Sequence, residues 1–353
     1  MYRLLRAVLF LFSAETAHQL AAVVLGWLGR RPQIRARLRT RATAADVDLS
    51  VTVAGVRFPN PILLAAGFDK DATMVPGLFA LGFGGIEVGT VTPRPQPGNP
   101  KPRMFRLPEH RALINRLGFN NRGVAELVER VRDLPWRPGP VGINLGRNKD
   151  TPNERAADDY VACAEAVATL ADYVVVNASS PNTPGLRELQ EPAALRALLT
   201  GVRAALDRRA PGKPLFLKIA PDLSEAAIRA AVDVAVECGA QGLIATNTTV
   251  SRPVPSDEAG GLSGAPLAPL SIACLRVAAG HAQGRLSLLA AGGVFDAEDA
   301  YERLRTGADA VQLYTGFIYG GPETVRDLLT GLAGLLRRAG FQTLEQMLRA
   351  RQS

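Results

Sequence analysis

The sequence predicts a (β/α)8 barrel of the α/β class, preceded by an amphipathic helical extension. Three observations predict it. Short apolar runs recur between residues 61 and 316, most of them ending in Gly, Asn, Ser or Thr. They lack the alternation of a half-exposed sheet, which suits parallel strands buried on both faces. Stretches rich in Ala, Leu, Glu and Arg at helical spacing separate them, and eight such units in about 290 residues match one closed barrel. An open doubly wound sheet would show fewer strands and an early G-x-G-x-x-G turn, and no such turn is present.

The chain has 353 residues, 47% of them hydrophobic and 21% charged, which rules out a disulfide scaffold, a collagen-like repeat or a highly charged disordered protein. Net charge is +8. Residues 1–45 hold eight arginines against Glu15 alone, so +7 of it lies there. The rest is nearly neutral, which argues against a nucleic-acid-binding surface. Cys163, Cys238 and Cys274 are far apart, and there are three histidines. No metal site or disulfide is expected, and a reducing compartment fits.

Residues 1–45 read as a separate segment. Leu4, Leu5, Val8, Leu9 and Phe12 share one helical face, and Ala21, Val24, Leu25 and Leu28 share another. Ser13 is placed to cap the second helix. Arg6 and Glu15 interrupt the apolar stretches, so neither reaches the roughly 20 residues of a membrane span. Four readings stand: helices lying on an anionic membrane surface, a signal peptide without a good A-x-A site, a helical hairpin packed on the body, and a nucleic-acid arm lacking interleaved aromatics. Residues 47–58, VDLSVTVAGVRF, alternate around a Gly turn and predict a small hairpin closing one barrel end.

The eight predicted strands are PILLAAG (61–67), GIEVGTV (85–91), VGINLG (141–146), YVVVNAS (173–179), LFLKIA (215–220), GLIATNT (242–248), LSLLAAGG (286–293) and AVQLYTG (310–316). Helices are expected over Asp158–Leu170, Glu191–Arg208, Ser224–Cys238 and Ala297–Arg305. Links 92–120, 179–191 and 249–269 are long and follow strand C-termini. In a barrel that is the catalytic face, where long loops make lids and binding walls.

The strand ends carry Lys70, Thr90, Asn144, Asn177, Ser179, Ser180, Lys218, Thr246, Asn247, Thr248, Gly292, Gly293, Tyr314, Thr315 and Gly316. Without a carboxylate pair, glycosidase chemistry is disfavoured. Without His or Cys, so are a nucleophile–base dyad and a zinc hydrolase. Amides present a donor and an acceptor together, which suits a heterocycle edged by C=O and N–H, such as a flavin or a pyrimidine. Glycines after the last two strands suit a phosphate bound by backbone N–H groups and a helix N-terminus, although such pairs are also ordinary turns. Phosphate and amides together suggest FMN. Lys218, inside an apolar strand, has three readings: a lysine paired with an unseen carboxylate, a Schiff-base amine, or a fixed positive charge beside the flavin edge that becomes negative on reduction.

Longer stretches then carry a resemblance. AAGFDK (65–70), VGTVTPRPQPGNPKPRMFRLPE (88–109), INRLGFNN (114–121), VGINLGRNK (141–149), VNASSPNTPGLRELQ (176–190), LKIAPDL (217–223), ATNTT (245–249), GGLSGAPL (260–267), AAGGV (290–294) and QLYTGFIYGGP (312–322) resemble class 2, quinone-dependent dihydroorotate dehydrogenases. The resemblance implies oxidation of (S)-dihydroorotate to orotate in pyrimidine biosynthesis, with FMN as hydride acceptor and a membrane quinone as final acceptor. It implies FMN contacts from Ala66, Gly67, Thr90, Asn144, Asn177, Lys218, Thr246, Gly264, Gly293, Tyr314 and Thr315. Substrate contacts are implied for Lys70, Asn115, Arg116, Leu117, Gly118, Phe119, Asn177, Asn182, Asn247 and Thr248. Ser180 is the implied base, where a class 1 enzyme would carry Cys. His18 and Arg106 match positions near the quinone. Residues 1–45 become a membrane-associating quinone tunnel and residues 46–353 the FMN barrel. A monomer on the cytoplasmic face of the cell membrane is expected, with neither metal nor nucleic acid. Another FMN-barrel pyrimidine oxidoreductase, or a non-catalytic membrane-surface barrel, are the alternatives.

Overall fold

The structure, a computed structural model, describes residues 2–43 and 46–351. The chain opens with α1 (Tyr2–Leu9), α2 (Ala14–Gly29) and α3 (Pro32–Ala42), then the antiparallel hairpin β1 (Val51–Val53) and β2 (Val56–Phe58). β3 (Ile62–Leu64), α4 (Val75–Ala80) and β4 (Gly85–Val91) begin the barrel. The chain then leaves it for the pair β5 (Met104–Leu107) and β6 (Ala112–Asn115), returning through α5 (Val124–Arg132) to β7 (Val141–Leu145). Next come α6 (Ala156–Val167), β8 (Tyr173–Asn177), α7 (Pro192–Arg209), β9 (Leu215–Ile219), α8 (Glu225–Glu237) and β10 (Gly242–Ala245). After β11 (Gly261–Gly264) the units resume with α9 (Ala268–Ala282), β12 (Ser287–Ala291), α10 (Ala297–Thr306) and β13 (Ala310–Leu313). α11 (Thr315–Gly320), α12 (Thr324–Arg338) and α13 (Leu344–Ala350) finish the chain.

Among the described residues, eight parallel strands close a barrel in the order β3-β4-β7-β8-β9-β10-β12-β13. This is the predicted (β/α)8 architecture. Each strand except β4 ends one to three residues before its predicted apolar run does, because the last residues of the run peel away into the loop that builds the site. The predicted helices are present within a few residues, and Ser224 and Asp296 cap α8 and α10 through their side chains.

The hairpin lies at the N-terminal end of the barrel. Its Phe58 packs 6.1 Å from the ring of Tyr173, which sits 5.3 Å from Phe216, so aromatic rings fill that end. The upper interior is polar instead, and it underlies the site.

Two features were not expected. Links 92–120 and 249–269 contribute a three-stranded antiparallel sheet in the order β11-β6-β5, with its own small core of Ala112, Ile114 and Leu262. The extension also has a third helix. α3 follows no apolar stripe; its Arg39 instead reaches inward to the carbonyl oxygens of Phe79 (3.0 Å) and Phe83 (2.7 Å). Arg6 likewise donates to the Tyr319 carbonyl at 2.7 Å. Part of the basic charge thus anchors the extension to the barrel. Ser13 caps α2 as expected, accepting the Thr16 N–H at 3.1 Å.

Candidate active site and the adjoining apolar cavity

The first pocket opens at the C-terminal ends of the barrel strands, roofed by residues 115–119 and by β11. It gathers most of the sequence-predicted residues. Ala66, Gly67, Thr90, Asn177, Lys218, Thr246, Gly264, Gly293, Tyr314 and Thr315 line it, together with Lys70, Asn115, Leu117, Gly118, Phe119, Ser180, Asn182, Asn247 and Thr248. Two are not in the wall. Asn144, fully buried, lies one layer beneath. The Arg116 side chain turns away, bonding Glu258 at 2.6 Å and stacking 4.5 Å above the Phe105 ring.

The amides form a connected network. Thr90 Oγ1 donates to Asn144 Oδ1 at 2.5 Å, and Asn177 Nδ2 donates to Thr90 Oγ1 at 3.0 Å and Asn144 Oδ1 at 3.1 Å. Asn247 Nδ2 donates to Asn177 Oδ1 at 3.2 Å, and Asn182 Nδ2 to Asn115 Oδ1 at 3.1 Å. These hydrogen bonds fix which end of each amide faces which neighbour.

The charged groups differ in their surroundings. The Lys218 side chain is buried, and its ammonium has neither a hydrogen bond nor an ion pair with any described residue. Burial pushes its pKa down and the carboxylate of Glu87 pushes it back up. Glu87 is the buried carboxylate that the sequence did not reveal. It acts on Lys218 through space while its oxygens accept from Asn144 Nδ2 (2.7 Å) and Gln312 Nε2. Lys70 donates to the Gly67 carbonyl at 2.7 Å. Burial above all, helped by Arg103, pulls its pKa down to about 8 against the opposing pull of Asp71, Glu15 and Asp69. Ser180 is buried, and its Oγ accepts the Asn182 backbone N–H at 3.2 Å.

Gly292 and Gly293 both have positive φ. A Cβ on Gly293 would sit 2.4 Å from the Ala268 Cβ and 2.6 Å from its Cα, so only glycine lets this turn lie against α9. Gln312 also lines the pocket, and its Oε1 is buried without a partner among the described residues. Neither Gln312 nor Ser263, which shares a 2.8 Å hydrogen bond with Thr315, stood out in the sequence. Gln312 lies mid-strand rather than at a strand end, and Ser263 lies in a short strand outside the barrel.

Residues 48–336 match the dihydroorotate dehydrogenase family. The chain belongs to that family. It is 57% identical to the dihydroorotate dehydrogenase (quinone) of Myxococcus xanthus, covering 99% of this chain and 98% of that one. Identity is 48% to the protein of the same name from Pseudomonas aeruginosa, over 96% of this chain and 100% of that one. Among solved structures, DHODH from Eimeria tenella in complex with ferulenol superposes with a TM-score of 0.83 at 38% identity, covering 94% of each chain. The ligand-free form superposes with a TM-score of 0.82 at 39% identity, over 93% of this chain and 97% of that one.

A second cavity lies between the helical extension and the barrel. α1, α2 and the turn between them supply Leu5, Leu9, Phe10, Ala21, Val24 and Leu28, and the barrel side supplies Phe68, Met104, Leu113, Phe317 and Ile318. His18 and Arg106 are its polar members. Arg106 donates to the carbonyls of Leu9 (3.2 Å) and Phe12 and stacks 4.5 Å over the Phe10 ring. Burial, reinforced by Lys70, drives the His18 pKa down to about 4, so the ring is neutral at physiological pH. Phe68 joins the two cavities, with its ring 4.9 Å from His18 and 5.7 Å from Tyr314. Leu4, Leu5, Val8, Leu11, Phe12, Leu20, Val23, Val24 and Trp27 are exposed on the extension. No described helix is long and apolar enough to cross a membrane.

Proposed function

We propose that this protein oxidises (S)-dihydroorotate to orotate, with FMN as hydride acceptor and a membrane quinone as final oxidant, in pyrimidine biosynthesis. The observation that carries the reading is the pairing of two cavities. A pocket holding Lys70, Ser180, Lys218 and a fixed ring of amides stands one phenylalanine away from an apolar cavity walled by the N-terminal helices. The kinship to enzymes named dihydroorotate dehydrogenase (quinone) supports the same assignment.

The residues present fit FMN. The glycine turn at 292–293 lies against α9 at the pocket wall, where no Cβ fits, the Gln312 Oε1 has no partner among the described residues, and the buried Lys218 ammonium wants an anionic partner. Ala66, Gly67, Thr90, Asn177, Lys218, Thr246, Gly264, Gly293, Tyr314 and Thr315 would hold it, with Asn144 behind them. FMN would supply the acceptor for the substrate's C6 hydride and release the electron pair to quinone.

Lys70 holds the substrate carboxylate, and Asn115, Asn177, Asn182, Asn247 and Thr248 read the pyrimidine edge. Ser180 removes the C5 proton. A serine hydroxyl holds its proton tightly at neutral pH; the Asn182 N–H donated to Oγ stabilises the negative charge that grows there. Lys218 supplies fixed positive charge where electrons accumulate. Leu117, Gly118 and Phe119 close the pocket as backbone and apolar wall. Arg116 acts differently from the direct substrate contact expected of it, bracing the 250–260 loop through Glu258.

Residues 1–45 serve as the quinone entrance, with His18 and Arg106 at its inner end and the exposed apolar residues resting on the cytoplasmic face of the membrane. The barrel of residues 46–353 carries the chemistry, and the protein works as a monomer. The test uses purified protein. A flavin spectrum bleached anaerobically by dihydroorotate and restored by quinone, but not by fumarate or NAD, is expected. Protein without flavin, or flavin that dihydroorotate does not bleach, overturns the assignment.

A further inference from the structure

Glu87 is the one charged residue of β4, and no part of the mechanism above uses it. Its relative exposure is 0%, yet it lies inside the barrel beneath the pocket. An unpaired carboxylate there would be costly. Both of its oxygens are occupied: Oε1 accepts from Asn144 Nδ2 at 2.7 Å on β7, and Oε2 accepts from Gln312 Nε2 on β13. β7 lies directly beside β4, and β13 lies on its other side beyond β3, so the carboxylate bridges across the interior.

An ionised carboxylate can only accept. An amide is two-faced, so a neighbour that can only accept decides which end turns toward it. Glu87 therefore draws the NH2 of Asn144 downward and leaves Oδ1 facing Thr90 and Asn177, which both donate to it. Asn177 must then turn its NH2 toward Asn144 and offer its own Oδ1 to Asn247 and Ser179. On the other side, Gln312 turns its NH2 toward Glu87, and its Oε1 is left buried with no partner on the pocket side. One carboxylate thus sets the polarity of every amide that follows from it. Its negative charge also acts on Lys218, the buried ammonium with no hydrogen bond to any described residue.

We infer that Glu87 is a positioning residue that fixes the donor and acceptor pattern of the cofactor pocket and balances the charge of Lys218. The inference rests on the flavin reading above and extends it to a residue outside the pocket wall. In the sequence Glu87 is hidden, because GIEVGTV reads as an apolar strand with one interrupting acid.

Two substitutions in the full-length holoprotein separate the roles. Glu87→Gln keeps the shape but removes the charge and can donate as well as accept, so the amides lose their fixed sense. FMN affinity, from titration of the FMN-depleted protein by flavin fluorescence, is expected to fall at least tenfold. With Lys218 no longer balanced, the reduced flavin gains at least tenfold in equilibrium, an upward shift of about 30 mV for a two-electron couple. Glu87→Asp keeps the charge but is too short to reach both amides. It should weaken FMN binding while moving the reduction equilibrium less than threefold.

FMN affinity within twofold of wild type together with an unmoved potential in Glu87→Gln overturns the inference. If that variant does not fold, Glu87→Asp decides, and wild-type FMN affinity there overturns it equally. A wild-type protein that binds no FMN refutes the functional reading first and the inference with it.

Discussion

Binding of the substrate carboxylate should depend on pH through Lys70. In the free protein burial holds this ammonium at a pKa of about 8, against an ordinary value of 10.5. A carboxylate laid against it favours the charged form, so the pKa in the complex lies higher. The sign follows: affinity is full below pH 8 and falls as the pH rises above it, because ligand must then recruit a proton. Between pH 7 and pH 9 the charged fraction drops roughly from nine-tenths to one-tenth, so the Kd for orotate should rise about tenfold, or ~1.4 kcal/mol. His18, neutral already above about pH 4, adds nothing to this change. The assay is titration of the holoprotein with orotate, followed through the flavin spectrum at each pH, beside a Lys70→Met control. The control should bind weakly and with a flat profile. A wild-type Kd constant from pH 7 to 9, or a control as steep as wild type, would refute the reasoning.

Ser180→Ala should retain FMN yet slow flavin reduction by dihydroorotate by about 10²- to 10⁴-fold; a wild-type rate in stopped flow removes Ser180 from the mechanism. Deleting residues 1–40 takes away α1, α2 and most of α3, which wall the apolar cavity. Quinone-supported turnover should vanish while dihydroorotate still bleaches the flavin, and full quinone activity would contradict the tunnel. Gly293→Ala must push α9 back from a 2.4 Å clash and adopt positive φ, at a cost of about 1–3 kcal/mol. It should lose bound FMN and melt at a lower temperature, and wild-type flavin content would sink the argument.

The barrel was legible because its strands are buried on both faces, which leaves unbroken apolar runs such as YVVVNAS and LFLKIA. Site residues were legible where they end those runs: Asn177, Lys218, Thr246 and Thr315 all come together at one mouth. β5, β6 and β11 were not legible. They are four residues each, set in Pro- and Gly-rich links, and their pairing joins β6 to β11 across 150 residues of chain. α3 escaped for a different reason. It is held by Arg39 reaching two carbonyls rather than by an apolar face, so no hydrophobic period marks it.

The sequence by itself determined the barrel, the identity of the residues at its mouth and the basic, apolar character of the extension. These depend on local pattern and residue type, which the linear chain displays. Only the tertiary structure decided that Arg116 braces a loop, that Phe68 links the two cavities and that Glu87 sits beneath the pocket between Asn144 and Gln312. It also decided that Arg6 and Arg39 turn inward to barrel carbonyls, so less of the extension's charge faces outward. Each of these is a contact between segments far apart in the chain. Such a contact depends on side-chain direction and burial, which closure of the barrel creates and residue type alone does not specify.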